Sequence, residues 1–293
     1  MRRLLLAATA GVAAVALFFA FAGTARAAEP FVDAPLTLPP LHFSGDFGVG
    51  FGTYQSLSVD PNNPTAAPVL GGTQVGWGTN IEAAVGLPFV GELGVRIGYR
   101  FGDGGIAAGS GAGADHFGRL FDPIVSQPGA SNFANPEIHL RGTLFDLHVV
   151  QMALETRLII PTDSTQIDGQ NVSNFAITPG VPFRIHIPGF LRIDTGLYLP
   201  ISFDANTSYS LDIPAQAFFT VGDAFFGPVT GIRFNAPGGG VDSSVDIPLG
   251  IGGGYTIAGR IDLKVQLRTE RINDANWASQ YLGGGLGVGL RLP

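Results

Sequence analysis

Apolar and polar residues alternate along most of the chain after residue 42, and a period of two is typical of β-strands. In residues 91–101 the odd positions from Leu93 onward are apolar, whereas Glu92 and Arg96 lie on the opposite face. No stretch after residue 30 shows an apolar stripe with the 3.6-residue period of a helix. The alternation predicts twelve strands, at 43–54, 73–87, 91–101, 138–146, 148–160, 174–187, 190–203, 211–221, 225–234, 245–257, 260–271 and 281–292.

Short and long connections between these segments follow one another in strict alternation. A transmembrane β-barrel has this rhythm, with short periplasmic turns at one rim and longer loops at the other. The fold class predicted is therefore all-β, a transmembrane antiparallel meander barrel of about twelve strands. The short turns fall at 88–90, 146–147, 188–189, 222–224 and 258–259, and the long connections at 55–72, 102–137, 161–173, 204–210, 235–244 and 272–280.

Aromatic residues cluster near the predicted strand ends, as in the two aromatic belts of barrels at the boundaries between water and lipid. In the segment 211–221, Phe218 and Phe219 both compete for the lipid face. Residues near the long connections are Tyr54, Trp77, Tyr99, Phe101, Phe175, Phe203, Phe234, Trp277 and Tyr281, and those near the short turns are Phe89, Phe145, Phe190 and Phe225.

These features together resemble the outer-membrane β-barrel proteins of Gram-negative bacteria, of the channel or porin type. The last segment, residues 287–292, is similar to the carboxy-terminal assembly signal of that class, although Pro293 stands where an aromatic residue is usual. The resemblance implies an integral barrel at 43–293 in the bacterial outer membrane. Both termini would then be periplasmic, and outer-membrane lipid and lipopolysaccharide would surround the wall.

The amino terminus has the pattern of an export signal. Arg2 and Arg3 precede the apolar run 4–22, and the small residues Ala25 and Ala27 supply a cleavage site. We expect residues 1–27 to be cleaved and 28–42 to form a short periplasmic segment. A retained anchor helix is the alternative. The chain has no cysteine, which excludes a disulfide framework and a lipid-anchored cysteine.

Composition supports a barrel over a soluble domain or a nucleic-acid-binding protein. Charged residues make up 13% of the chain, against about 25% in a soluble globular domain. Removal of 1–27 takes away three arginines and no acids, so the mature charge is 13 minus 23, or −10. Basic patches are absent, which argues against nucleic acid as a partner.

If the apolar positions face lipid, the alternate positions line the lumen, with 11 basic residues against 8 acids. Guanidinium groups bind carboxylates and phosphates in a bidentate manner and stay charged. The lumen would then favour small polar or anionic solutes. Alternatively, the arginines pair with the acids and only hold the wall together. The residues that we expect to contact solute are Arg96, Arg100, Arg141, Arg157, Arg184, Arg192, Arg260, Lys264, Arg268, Glu92, Glu155, Asp194 and Asp262.

The function predicted is a passive channel, with two alternatives. One is a closed structural or adhesion barrel that acts through its acidic external loops; the other, less favoured, is an outer-membrane hydrolase. We find no serine nucleophile signature and no metal-binding spacing among the five histidines, so we expect neither an enzyme nor a metal or cofactor. The connection 102–137 either folds into the pore and constricts it or stays on the surface.

Overall fold

A computed structural model describes residues 31–58, 69–88, 91–101, 136–160, 164–167, 170–173, 175–203, 207–236, 243–269, 271–275 and 282–293. These residues are almost entirely β-strand, apart from one short 3-10 helix, η1 (Phe31–Asp33). The strands are β1 (Phe43–Ser58), β2 (Val69–Leu87), β3 (Gly91–Phe101), β4 (Glu137–Asp146), β5 (Val150–Ile159), β6 (Ser164–Ile167), β7 (Gln170–Ser173), β8 (Phe175–Ile187), β9 (Leu191–Tyr198), β10 (Ile201–Phe203), β11 (Ser208–Val221), β12 (Ala224–Ala236), β13 (Ser244–Asp246), β14 (Leu249–Ile257), β15 (Ile261–Thr269) and β16 (Leu282–Leu292).

All of these strands except β6 and β7 form one closed antiparallel sheet. The first strand, β1, pairs with the last, β16, from Phe43 opposite Leu292 to Gly52 opposite Gly283. Strands β9 and β10 share one position in the wall, because both pair with β8 and β11. Strands β13 and β14 likewise both pair with β12. The wall therefore has twelve positions in chain order, and the predicted twelve-stranded barrel is confirmed.

Prolines account for two places where a predicted strand is divided. Segment 190–203 is broken at Pro200, and segment 245–257 is broken at Pro248. Proline has no N–H to donate to the neighbouring strand, so the ladder is interrupted there. A small hairpin of β6 and β7 lies within the long connection 161–173, where the alternation had indicated no strand.

The barrel has an apolar outer face and a polar inner face. On β15, Val265 is 50% exposed, whereas Asp262 on the other face is 2% exposed. The buried side chains are mainly polar or charged, and large apolar side chains are mainly exposed. This arrangement is the reverse of that in a soluble protein, and it makes the outer face a lipid-facing surface. No helix in the described ranges has the length and apolar character needed to cross a membrane.

Two phenylalanines turn inward against this general pattern. Phe218 lies inside the barrel while Phe219 lies outside and contacts Phe226. Phe225, which the sequence placed in the aromatic belt at the short turns, is also inside and only 4% exposed. That assignment was wrong because an apolar partner, Phe31, enters the lumen from the amino-terminal segment and packs on both inward rings.

Residues 31–42, which we call the lumen segment, lie inside the barrel at the end with the short turns. The segment joins the wall through a turn at 39–42, where Leu41 has a φ of 65°. Leu41 N–H donates to Gly86 O, and Gly86 N–H donates to His42 O, both at 2.8 Å. A Cβ atom on Gly86 would lie 1.8 Å from the carbonyl oxygen of Pro39, so only glycine allows this approach.

The lipid-facing assignment of β15 can be tested with arginine substitutions. Val265→Arg places a charge near the middle of the strand, and we expect it to lower the free energy of unfolding from lipid vesicles by about 2–4 kcal/mol. Ile257→Arg, at the rim where β14 ends, is the matched control and should cost only about 0–1 kcal/mol. Urea titrations that are followed by the heat-dependent gel shift measure both values. Equal costs at the two positions would contradict the assignment.

Candidate functional site

The lumen segment crosses the inside of the barrel from β14 to β3. At one end, Phe31 N–H donates to Thr256 Oγ1 on β14, at 3.2 Å. At the other end, Leu38 N–H donates to Glu92 Oε2 on β3, at 2.9 Å. Thr256 and Glu92 each lie next to the end of their strand at the short turns. The segment therefore spans the lumen close to the short-turn rim.

Arginines on neighbouring strands hold the main chain of the segment between these two ends. Arg192 Nη1 on β9 donates to Phe31 O at 2.9 Å. Arg184 Nη1 on β8 donates to Ala34 O at 2.6 Å. Both guanidinium groups are buried, so these charge-assisted hydrogen bonds form away from bulk water.

Leu36 has both of its main-chain polar groups bound by side chains of the wall. Its N–H donates to Gln151 Oε1 on β5 at 2.9 Å, and its carbonyl oxygen accepts from Arg141 Nη1 on β4 at 2.8 Å. The Leu36 side chain is buried. An unpaired main-chain group in such an interior would cost free energy, and the wall supplies both partners.

The Phe31 ring occupies an aromatic pocket. It stacks on Phe225, with ring centroids 4.2 Å apart and planes 17° apart, and meets the edge of Phe218 at 5.8 Å. Arg192 Cζ lies 4.4 Å from the ring centroid, and Lys264 Nζ lies 5.6 Å from it. The ring is thus held by aromatic packing and by cation–π attraction together.

One carboxylate serves two arginines at the centre of the wall contacts. Asp194 Oδ1 accepts from Arg184 Nε at 2.5 Å, and Asp194 Oδ2 accepts from Arg192 Nε at 2.6 Å. Gln216 Nε2 also donates to Asp194, at 3.1 Å. The Asp194 side chain is fully buried. The cluster of Asp194, Arg184 and Arg192 therefore has two positive charges for one negative charge. Carbonyl oxygens of the lumen segment accept further hydrogen bonds from the two guanidinium groups.

A second cluster lies on β3, β4 and β5 and has more carboxylates than arginines. Glu155 accepts from Arg141 Nε at 2.9 Å and also from Arg157 Nε. Arg157 Nη1 reaches Glu137 at 3.0 Å, and Arg141 Nη1 reaches Glu92 at 3.4 Å. The two arginines therefore face three carboxylates, and their charge is fully compensated within the wall.

The third group of charges lies on β1, β15 and β16. Lys264 Nζ pairs with Asp46 Oδ1 at 2.5 Å, and Arg291 Nη2 pairs with Asp262 Oδ1 at 3.0 Å. Thr256 Oγ1, which accepts the Phe31 N–H, donates in turn to Asp262 at 2.8 Å. In both pairs each cation has one anion. The series of hydrogen bonds from Arg291 through Asp262 and Thr256 ends at the Phe31 N–H of the lumen segment.

The structure gathers most of the predicted site residues on the inner face. Arg268 is also buried, whereas Arg260 falls in the short turn before β15 and Arg96 is partly exposed. The Arg100 side chain lies outside the described residues, as does the predicted loop 102–137 apart from its last two residues. The predicted residues that contact one another or the lumen segment are Arg141, Arg157, Arg184, Arg192, Lys264, Glu92, Glu155, Asp194 and Asp262.

Sequence reasoning missed two inward acids. Glu137 pairs with Arg157, and Asp212 accepts from Arg233 Nε at 3.0 Å. Both lie in phase with the inward positions of their strands, two residues before His139 and two after Ser210, so the alternation itself contained the signal. These acids reduce the basic excess that was predicted for the lumen.

A cavity of about 220 Å³ remains between the lumen segment and the wall. Charged and amide side chains line the part that faces β1, β2 and β15, among them Asp46, Asn80, Glu82 and Lys264. The cavity is large enough for several water molecules or a small polar solute. The described residues contain no group of three or more side chains arranged to bind a metal ion.

Comparison with solved structures shows the fold alone. No family model matches the chain, and no curated protein matches it. The COG4313 outer membrane channel from Pseudomonas putida F1 superimposes with a TM-score of 0.58 at 8% identity, over 89% of this chain and 98% of that one. The KdgM porin (TM-score 0.45, 11% identity, 83% and 98%) and the NanC porin (0.46, 6%, 84% and 99%) are less similar in structure. The chain therefore has the barrel fold of outer-membrane channels.

The shared carboxylate can be tested by removing its charge. Asp194→Asn leaves Arg184 and Arg192 buried without their anion, and we expect it to lower the free energy of unfolding by about 3–5 kcal/mol. Asp46→Asn is the control, because that carboxyl group has a single cationic partner and is 31% exposed, so its loss should cost less. Urea-dependent tryptophan fluorescence in detergent micelles measures both. A loss for Asp194→Asn no greater than for Asp46→Asn would refute the central role of this carboxylate.

Proposed function

We propose that the protein is an outer-membrane channel for the passive diffusion of small polar or anionic solutes. The observation that carries this proposal is a closed barrel whose wall is apolar outside and lined with charged side chains inside. A polar interior within a lipid-facing wall is the arrangement of a diffusion channel. The export signal predicted at 1–27 supports the same location, in contact with outer-membrane lipid and lipopolysaccharide.

A preference for anions follows from the charge around Asp194. Arg184 and Arg192 share this one carboxylate, and each donates a further hydrogen bond to a carbonyl oxygen of the lumen segment. Carboxylate and phosphate oxygens are the stronger acceptors for such donors. An anionic solute that reaches this position finds guanidinium groups that the wall itself does not fully neutralise.

In this structure the lumen segment obstructs the proposed channel. The lumen segment lies across the lumen near the short turns, and the Phe31 ring fills the space beside Phe218 and Phe225. Solutes would pass at a useful rate only when this segment leaves its position or is absent. Conductance of the intact protein should therefore be small.

The closed structural or adhesion barrel is the second candidate, and a specific observation favours it. Most cations of the inner face have an anionic partner, as in the pairs Lys264–Asp46 and Arg291–Asp262. Paired charges of this kind hold a wall together whether or not a solute passes. An enzymatic role is not proposed.

Planar-bilayer recordings of a protein that can be cut after folding distinguish the two candidates. A protease site inserted between Pro40 and Leu41, both exposed, allows the lumen segment to be cut and washed out in mild urea. We expect low conductance before cutting and discrete, several-fold larger openings afterwards, because the obstruction has gone. Under a KCl gradient the reversal potential should shift toward the chloride potential.

Charge variants then test the solute preference. Arg192→Gln in the cut protein should reduce the shift toward chloride, because it removes one of the two cations at Asp194. Asp223→Asn, in the exposed turn between β11 and β12, is the control that changes charge outside the lumen. A cut barrel that stays folded and silent would remove the channel and leave the structural reading. An unchanged reversal potential in Arg192→Gln would remove only the anion preference.

A further inference from the structure

The wall recognises the main chain of the lumen segment more than its side chains. Six main-chain groups of the segment bind side chains of the wall, at Phe31 (N–H and C=O), Ala34 (C=O), Leu36 (N–H and C=O) and Leu38 (N–H). Main-chain hydrogen bonds do not depend on the identity of the side chain. The contacts would therefore fit other peptides of the same conformation.

After the short 3-10 helix, the main-chain contacts recur at every second residue, at Ala34, Leu36 and Leu38. In a β-strand, the N–H and C=O of one residue point to the same side, and residues two apart share that side. Ala34, Leu36 and Leu38 follow this rule, and their partners are Arg184, then Gln151 with Arg141, then Glu92. In an ordinary sheet a neighbouring strand would supply these partners, but here polar side chains supply them.

A cluster of apolar side chains at the amino-terminal end, in which Val32 is fully buried, fixes the position of the peptide along this row. Phe31 is partly buried, packs against Phe218 and Phe225 and lies beneath the Arg192 guanidinium. By contrast, the Thr37 hydroxyl oxygen is buried and has no hydrogen-bond partner in the structure. Phe31 therefore serves as the anchor of the segment, and Thr37 adds no polar contact of its own.

We propose that the lumen is a binding site for a short peptide with an aromatic anchor, and that residues 31–38 occupy it as a ligand supplied by the chain itself. The ligand of this site is an apolar peptide with an aromatic residue at its amino-terminal end. The wall binds its main chain through the side chains of β3, β4, β5, β8, β9 and β14. This proposal does not depend on ion or solute flux.

The turn that joins the lumen segment to the barrel is accessible to a protease, so the segment can be cut from the folded barrel. The segment joins β1 only through the turn at 39–42, in which Pro40 and Leu41 are exposed. A cut in this turn leaves every strand of the wall intact. The barrel has then already folded with its own segment in place, so the experiment does not require a truncated chain to fold.

Binding in trans is measured on the barrel that has been cut between Pro40 and Leu41 and washed free of its segment, as verified by mass spectrometry. The probe is a synthetic peptide of residues 28–39 with a fluorophore at its carboxyl end. We expect saturable binding by fluorescence anisotropy, and competition by the same peptide without label. The uncut barrel, whose site is filled, should bind the probe at least about tenfold more weakly. A cut fragment that withstands washing and is displaced only by the unlabelled peptide would equally support the site.

Variants of the peptide identify the anchor. Phe31→Ala should bind at least about tenfold more weakly, because loss of a ring that stacks on Phe225 and packs against Phe218 removes more than the 1.4 kcal/mol that a factor of ten requires. Thr37→Ala is the matched control and should bind as the unmodified peptide does. A peptide with Asp33→Ala tests a side-chain hydrogen bond, which the Asp33 carboxylate accepts from Gly189 N–H of the wall at 2.8 Å, and should lose much less affinity than Phe31→Ala.

Three results would overturn the proposal. They are the absence of binding to the emptied barrel, equal binding to the cut and uncut barrels, and equal binding of the Phe31→Ala and unmodified peptides. None of them depends on conductance. A barrel that binds the peptide but passes no ions would disprove the channel alone, and a conducting barrel that binds no peptide would disprove the peptide site alone.

Discussion

The structure depends on one constraint: a polar group inside a barrel whose outer face meets lipid must find its partner inside the barrel. Closure of β1 on β16 satisfies the main chain of the wall, because no strand edge is left open. The same constraint then applies to the side chains of the inner face. Their charges lie in confined surroundings, where an uncompensated charge is expensive.

The charged side chains of the inner face form clusters that differ in their ratio of acidic to basic groups. On β3, β4 and β5 two arginines face three carboxylates, and on β1, β15 and β16 each cation has one anion. At Asp194 two arginines share a single carboxylate. Main-chain carbonyl oxygens of the lumen segment accept from these two arginines, so the segment completes a set of hydrogen bonds that the wall leaves incomplete. Obstruction of the lumen and stability of the inner face are therefore linked.

The lumen segment therefore has two roles. It closes the passage, and it has the contacts of a bound peptide, with Phe31 as its anchor and main-chain hydrogen bonds along its length. Any solute or peptide that binds at Arg184 and Arg192 has to replace those hydrogen bonds. The affinity of the segment for the wall thus sets how readily the interior becomes accessible.

The wall could be predicted from the pattern of apolar and polar residues. Successive side chains in a strand point to opposite sides. Strict alternation, as in 261–269, therefore predicts that the segment is a strand, which side chains face the lumen and which contact lipid. Alternation also placed Arg141, Arg184, Arg192 and Asp194 on the inner face. The three-dimensional fold sets which of these residues meet, because partners such as Lys264 and Asp46 are 218 positions apart. It also decided that 31–42 enters the lumen and that Phe225 turns inward, since an irregular segment has no period and its position depends on packing against the closed wall.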